Sequence, residues 1–367
     1  MNLWLPIGLL VVAGVVFAGA AVLTAVTRRI ALRVGFVDHP GAHKSHDGPM
    51  PYGGGCAILA AAWLTLLAAL GVALVVPEGW VEERWGSLAR AYLGGLRLRT
   101  TQMLVLLLGG LALHVLGLLD DRRPLRATPK LLAIIVVALF VSVVGRVRLG
   151  EFAGPTVSVL LTTAWFVVIV NAFNFLDNMD GLSAGVAAIA LTFLAICGLL
   201  AGQVLVPALA AVFLGAVGGF LVFNFPPARI FMGDAGSLVV GYMLACVSVL
   251  TTYYRGGDAT PPYALAMPLV ILAIPLYDFA SVVLIRLAEG RNPMRGDQRH
   301  FSHRLVERGL SRRFAVLTIY LAAATTGLTA TLLPGADLRQ TLTVGAVVVL
   351  VLAIIAILEQ PLRPANR

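Results

Sequence analysis

The feature that most restricts this chain is a succession of long apolar runs, near 2–26, 53–76, 101–119, 131–145, 155–173, 181–200, 204–223, 236–253, 264–285, 314–333 and 341–358. About 20 such residues carry a helix across the hydrocarbon core, where only a structure that satisfies its own backbone hydrogen bonds survives. Eleven runs predict an all-α, polytopic transmembrane helix bundle, a single domain over 1–367. Run 131–145 is the shortest, and the pattern leaves room for a re-entrant segment. Composition agrees: 59% of residues are hydrophobic, 12% are charged, and the mean hydropathy is +0.92. Soluble domains carry about 25% charged residues. No soluble fold buries this much apolar surface, so lipid must cover it.

Charge orients the bundle. The net charge is +9, and apart from Lys44 and Lys130 every basic residue is an arginine. With runs alternating in direction, the odd-numbered loops and the C-terminal tail hold 19 of the 27 basic residues. The positive-inside rule then sets those loops and the C-terminus in the cytoplasm and the N-terminus outside. No basic residue precedes the first run, whereas Arg28, Arg29 and Arg33 follow it. That is the reverse of a cleaved signal peptide, so a retained helix is expected. Positive charge that follows topology anchors anionic headgroups and argues against a nucleic-acid partner. Cys56, Cys197 and Cys246 lie in apolar runs without metal or redox spacing.

The remaining polar residues gather on that same face. They form the segment 35–55 (GFVDHPGAHKSHDGPMPYGGG), Asp120-Asp121, NAFNFLDNMDGL over 171–182 as the fifth loop, FNFPPARIFMGDAGS over 223–237, and RNPMRGDQRHFSHRLVER over 291–308. Each borders a run end, where helices can converge on one cleft. Asp120 and Asp121 set two anions at a helix C-terminus, against the macrodipole. They are either a solvated helix stop or groups that a cation or a proton transfer requires. Asn171 and Asn174 are one turn apart, so both amides are expected to face the cleft that Asp177 borders. Asp180, before Gly181, is either an ordinary cap or part of that cleft. Asp234 lies in Met-Gly-Asp-Ala-Gly-Ser, where backbone N–H groups suit an anion and the carboxylate suits a hard cation such as Mg2+. His300 and His303 share a helical face between Arg299 and Arg304, a set better matched to phosphate than to zinc. A basic loop beside headgroups is the plainer reading. Lys44 and Lys130 each pair with a phosphate or snorkel. Acids, amides and bases at one membrane interface point to Mg2+-assisted transfer of a phosphoryl-linked group onto a membrane-embedded acceptor.

The pieces HKSHDGPMPYGGG, LLDDRRPLRATPKLL, NAFNFLDNMDGL, FMGDAGS and the His300/His303 loop span 43–305. In kind and order they resemble the motifs of the polyprenyl-phosphate N-acetylhexosamine-1-phosphate transferase superfamily, glycosyltransferase family 4, and above all its bacterial undecaprenyl-phosphate N-acetylglucosamine-1-phosphate transferases. The resemblance implies a multi-pass enzyme of the bacterial cytoplasmic membrane. A UDP-sugar, UDP-N-acetylglucosamine first among them, would give its sugar-1-phosphate to undecaprenyl phosphate or another polyprenyl phosphate. UMP would leave, in the first membrane step of a cell-envelope glycan. Mg2+ would be required, with Mn2+ able to substitute. Asp234 would be the principal metal ligand, joined by Asp177. Asp120 and Asp121 would orient or deprotonate the lipid phosphate, and Asn174 and Asp177 would line the catalytic centre. Asp180 would contact the nucleobase, with Phe231 stacked on it. Lys130, Arg299, His300 and His303 would hold phosphates, and Asn171, Lys44 and His46 would add substrate contacts. The resemblance also admits a homodimer, for which the sequence offers no strong helix-packing motif.

Two departures stand out. Asn178 replaces the first glycine of the usual Asp-Gly-x-Asp-Gly pattern, and Ser302 stands where the hexosamine enzymes carry a further histidine. The three-histidine stretch of the phospho-N-acetylmuramoyl-pentapeptide transferases is absent, and eleven runs replace ten. Both favour a plain N-acetylhexosamine, with the pentapeptide transferase as the second reading. A secondary transporter is the alternative from another class, motivated by Asp278, Pro268 and Pro275 in one apolar run. Transporters gather polar residues near the midplane, whereas here Asp278 and His114 are nearly alone there. Arg286 follows Asp278 by about two turns, and the pair is expected to face the cleft and shape a lipid groove.

Overall fold

The computed structural model describes residues 4–38, 48–251, 266–291 and 299–360. Helix α1 (Trp4–Val34) leads into a short antiparallel pair, β1 (Val37–Asp38) with β2 (Met50–Pro51). There follow α2 (Gly54–Val75), α3 (Glu78–Leu98), α4 (Thr100–Arg122), α5 (Ala127–Val143), α6 (Pro155–Leu176), α7 (Leu182–Leu200), α8 (Leu205–Asn224) and α9 (Asp234–Thr251). The chain ends with α10 (Met267–Ile271), α11 (Ala273–Ala288), α12 (Phe301–Glu307), α13 (Arg312–Ala330) and α14 (Leu338–Leu358).

Among the described residues nine helices are long and apolar enough to cross a membrane, against the eleven expected. The chain is a multi-pass membrane protein of the expected class, and the two remaining runs explain the difference. Run 131–145 is the 17-residue helix α5, short of the usual span. Run 264–285 breaks at Leu272 into α10 and α11. Pro275 lacks the N–H that would bond the Ile271 carbonyl, and its ring crowds that carbonyl, so the helix restarts.

The segment 77–100, expected as a loop, contains α3. It has no apolar run to announce it, because its charges pair among themselves. Arg90 reaches Glu82 at 2.6 Å and Glu78 at 3.2 Å, and Arg97 reaches Glu78 at 3.2 Å. Trp80 and Trp85 stay exposed, as suits a helix at a membrane interface. Half of the arginines counted against the charge rule lie here, and two of those four, Arg90 and Arg97, are paired with glutamates.

Helix α9 is the axis: every residue from Ala235 to Thr251 is buried. It is ringed by α2, α4, α6, α7 and α8. In lipid, tails are as apolar as side chains, so close packing holds such a ring together. At Gly117 a Cβ would come within 2.4 Å of Ala235 Cα, so only glycine lets α4 approach α9 this closely. Helices α1 and α14 lie outside and expose apolar side chains such as Leu10, Val15, Leu342 and Val349. The ends of α4, α6 and α8 and the starts of α5, α7 and α9 meet at one end of the bundle, where the polar motifs lie.

Candidate active site

The C-terminal turn of α4 carries both aspartates of the Asp-Asp pair, and the structure gives them different partners. Asp120 Oδ1 accepts from Leu125 N at 2.6 Å, tying the turn into α5, and Oδ2 accepts from Lys130 Nζ at 2.6 Å. Asp121 points into the start of α9: Oδ1 accepts from Asp234 N at 2.7 Å and Oδ2 from Ala235 N at 3.1 Å. A carboxylate at a helix N-terminus is favoured by both hydrogen bonding and the macrodipole. The anions that burden the end of α4 therefore stabilise the start of α9. Gly233, at φ +72, completes the corner, for a Cβ there would meet Asp121 Oδ2 at 2.5 Å.

This arrangement corrects one expectation. The four N–H groups from Asp234 to Ser237 at the start of α9 are not open to a phosphate. Those of Asp234 and Ala235 go to Asp121, and those of Gly236 and Ser237 go to Gly233 O at 3.0 and 2.9 Å.

Lys130, in the first turn of α5, bridges Asp120 and Asp234 through its ammonium group. Asn174 Nδ2, in the last turn of α6, donates to Asp234 Oδ1 at 3.0 Å and to Ser237 Oγ at 2.9 Å. Asn171 does not join it. Its Nδ2 donates to Val167 O of its own helix at 2.7 Å. The expected fifth loop is also shorter: residues up to Leu176 are helical, and 177–181 make the turn.

Asp177 opens that turn. Desolvation, then the charges of Asp234, Asp121 and Asp180, push its carboxyl well above the usual carboxylate range. Asp180 holds the neighbouring loop, accepting from Ala228 N at 2.9 Å. Phe231 lies in the same loop, 225–233, which docks on β2 and the residue after it. Phe231 N donates to Pro51 O at 2.9 Å, and its ring lies 6.1 Å from that of Tyr52. Lys44 and His46 lie outside the described residues.

The histidine loop docks from the other side. His300 is the residue before α12 and is 4% exposed. Its Nδ1 lies 3.0 Å from Asp278 Oδ2, and Phe301 N donates to Asp278 Oδ1 at 2.8 Å. Asp278 thus caps α12 and fixes the imidazole. The Arg286 guanidinium lies 5.0 Å over the Phe175 ring. The His300 and His303 rings are 6.5 Å apart, as expected of one face. Burial, then His300 and Arg312, lower the pKa of His303. Arg299 pairs with Glu289 at 2.9 Å.

Sequence reasoning passed over Ser237, Asn224 and Tyr320. Asn224 accepts from Gly181 N at 3.0 Å and donates to Ile230 O at 2.9 Å, while Tyr320 donates to Gly181 O at 2.5 Å. The available signals were the place of Ser237 one turn from Asp234 and of Asn224 at the end of an apolar run. His114, noted as an ionisable group inside a span, bonds Ala235 O at 2.9 Å and belongs to the packing of α4 on α9.

Four carboxylates, those of Asp120, Asp121, Asp177 and Asp234, thus gather at one end of the bundle, and Lys130 pairs with two of them, Asp120 and Asp234. Among the described residues no three His, Cys, Asp or Glu side chains close on one point. Mg2+ seldom takes such a cage. It binds through one or two carboxylates and completes its shell with water and substrate phosphate. The hard oxygens of Asp234 and Asp177 and the excess negative charge fit that ion.

The model of the family described as glycosyl transferase family 4 matches residues 103–252, which hold all four aspartates and the lysine. A Bacillus subtilis protein, "Probable undecaprenyl-phosphate N-acetylglucosaminyl 1-phosphate transferase", is 32% identical over 348 residues, covering 91% of this chain and 87% of its own. The decaprenyl-phosphate N-acetylglucosaminephosphotransferase of Mycobacterium tuberculosis H37Rv is 35% identical, covering 81% and 76%. The undecaprenyl-phosphate alpha-N-acetylglucosaminyl 1-phosphate transferase of Escherichia coli K12 is 27% identical, covering 81% and 76%.

Proposed function

The chain belongs to glycosyl transferase family 4, and we propose that it transfers N-acetylglucosamine-1-phosphate from UDP-N-acetylglucosamine to a polyprenyl phosphate, releasing UMP. One observation carries the reading. In a chain 32% identical to a relative named for this reaction, Asp120, Asp121, Asp177, Asp234 and Lys130 converge where an apolar bundle meets its polar end. The basic excess in the loops at that end supports a cytoplasmic position for it, on the side from which a nucleotide sugar would come.

In the reaction a lipid phosphate oxygen attacks the β-phosphorus of the UDP-sugar. The bond to the bridging oxygen breaks, and that oxygen leaves with UMP. A phosphate monoester has its second pKa near about 6, so the lipid phosphate is largely a dianion at neutral pH and needs little help from a base. The work left to the protein is positioning and charge compensation. Asp234 and Asp177 would hold Mg2+, which supplies charge neutralisation to the diphosphate when bound. Asn174 fixes the Asp234 carboxylate. Asp121 fixes the backbone beneath it. Lys130, steered by Asp120, presents its ammonium to the phosphates. Burial and the neighbouring charges of His300 and Arg312 disfavour the protonated form of His303, and a phosphate beside it would favour that form. Asp180 shapes the loop beside the nucleoside, and its bond to Ala228 makes that role an indirect one.

A labelled phosphate tests the reading. With 32P in the β-position of UDP-N-acetylglucosamine, sugar-1-phosphate transfer carries the label into the lipid. Label retained in released UDP would show plain glycosyl transfer and refute the proposal.

A further inference from the structure

The two positions at which the sequence departs from the family pattern meet in space. Ser302 Oγ donates to Asn178 Oδ1 at 2.5 Å, and Asn178 Nδ2 donates to Phe175 O at 2.7 Å, at the carbonyl end of α6. One amide thus joins three elements: the last turn of α6, the turn that begins with Asp177, and α12. Ser302 is 1% exposed, so water has little access to replace its hydroxyl, and an abandoned amide oxygen would be left poorly paired.

Helix α12 depends on such contacts. It has seven residues, too few to hold a place by its own helical stability. On one side Asp278 pins its first turn to α11 through Phe301 N and His300 Nδ1. That clamp fixes α12 to α11, and among the described residues its only tie toward α6 is the edge-on packing of the His300 ring on Phe175 at 5.7 Å. On the side facing α6, Ser302 supplies the hydrogen bond that sets α12 against the carboxylate turn.

We propose that Asn178 and Ser302 are positioning residues. Their hydrogen bond is a strut that registers the His300/His303 helix with the Asp177 turn, and it tunes affinity for the donor's diphosphate. The second part rests on the function proposed above. The strut acts through its neighbours, since neither side chain needs to touch substrate. Its loss loosens the relative placement of two groups that must grip one ligand.

The test uses Ser302→Ala, Asn178→Ala and the double variant of the full-length protein in detergent. Amide hydrogen exchange is read without substrate. Exchange over 301–307 should quicken on the order of tenfold in each single variant and no further in the double, while 235–251 stays protected as a check on the fold. In turnover assays, KM for UDP-N-acetylglucosamine should rise by about fivefold with kcat nearly unchanged, and the double variant should match the worse single. Unchanged exchange overturns the strut, whatever the activity proves to be. Quickened exchange with an unaltered KM, or additive KM effects, overturns its role in donor binding. Wild-type protein that turns over no nucleotide sugar sinks the proposed function and leaves the exchange result to decide the strut.

Discussion

Replacing Asp121 by alanine separates the structural from the chemical work of the aspartate pair. The wild-type carboxylate accepts two backbone N–H groups, from Asp234 at 2.7 Å and Ala235 at 3.1 Å. Hydrogen bonds to a charged group contribute about 1.5–3 kcal/mol each. Water entering the vacated corner recovers part of that, so the net loss at the start of α9 is about 3 kcal/mol. Opening of that turn should become on the order of 10²-fold more frequent. Hydrogen exchange of a peptide covering 232–238 reads this directly, with the buried 240–250 stretch as the internal control. Asp121→Asn should fall between, because the amide keeps one acceptor and turns a donor toward an N–H. Asp120→Asn, by contrast, should leave exchange at 232–238 close to wild type. Exchange in Asp121→Ala within about threefold of wild type would refute the capping role and return Asp121 to a purely chemical one.

Other outcomes follow from the same geometry. Gly233→Ala places a Cβ 2.5 Å from Asp121 Oδ2 at a backbone φ of +72. It should lower stability by about 1–3 kcal/mol, visible as an earlier thermal melt, and reduce turnover as Asp234 shifts. Lys130→Met removes the ammonium that pairs with Asp120 and Asp234 and should reduce turnover on the order of 10²- to 10³-fold, with half-saturation at a lower Mg2+ concentration, read by titration, because a competing cation has gone. The raised pKa of Asp177 gives a pH prediction. An acid that is harder to ionise in the fold than in the open chain favours the folded state least at high pH, above its ordinary range. Mg2+ relieves that penalty by displacing the proton, so its thermal stabilisation should be greater at pH 8 than at pH 6. An equal shift at both would contradict the assignment of Asp177 to the metal.

The helical architecture was legible because lipid imposes one rule on long apolar runs, and the ends of most helices fall within a few residues of the runs that announced them. The exceptions have local causes. Helix α3 hid behind Glu78, Glu82, Arg90 and Arg97, which satisfy one another and so read as a charged loop. The break at Leu272 depends on a single proline inside an otherwise apolar stretch. The gathering of Asp120, Asp121, Asn174, Asp177 and Asp234 was legible too, since polar groups at run ends have few other places to go. What sequence could not apportion was which groups spend their hydrogen bonds on the protein. Asp121 and Asp180 hold backbone N–H groups, Asn171 turns back on its own helix, and Asp278 takes His300 and the Phe301 N–H. Each choice depends on a partner distant in sequence. The Asn178–Ser302 contact spans 124 positions, and only the two departures from pattern, taken together, hinted at it.

The central claim is tested most directly by UMP release from the purified protein supplied with undecaprenyl phosphate, Mg2+ and UDP-N-acetylglucosamine. A parallel reaction takes UDP-N-acetylmuramoyl-pentapeptide, and Asp234→Asn serves as the control. The account predicts release from the N-acetylglucosamine donor alone, lost in Asp234→Asn while the variant still extracts and melts as a folded protein. Release from the pentapeptide donor alone, or undiminished release by Asp234→Asn, would contradict it.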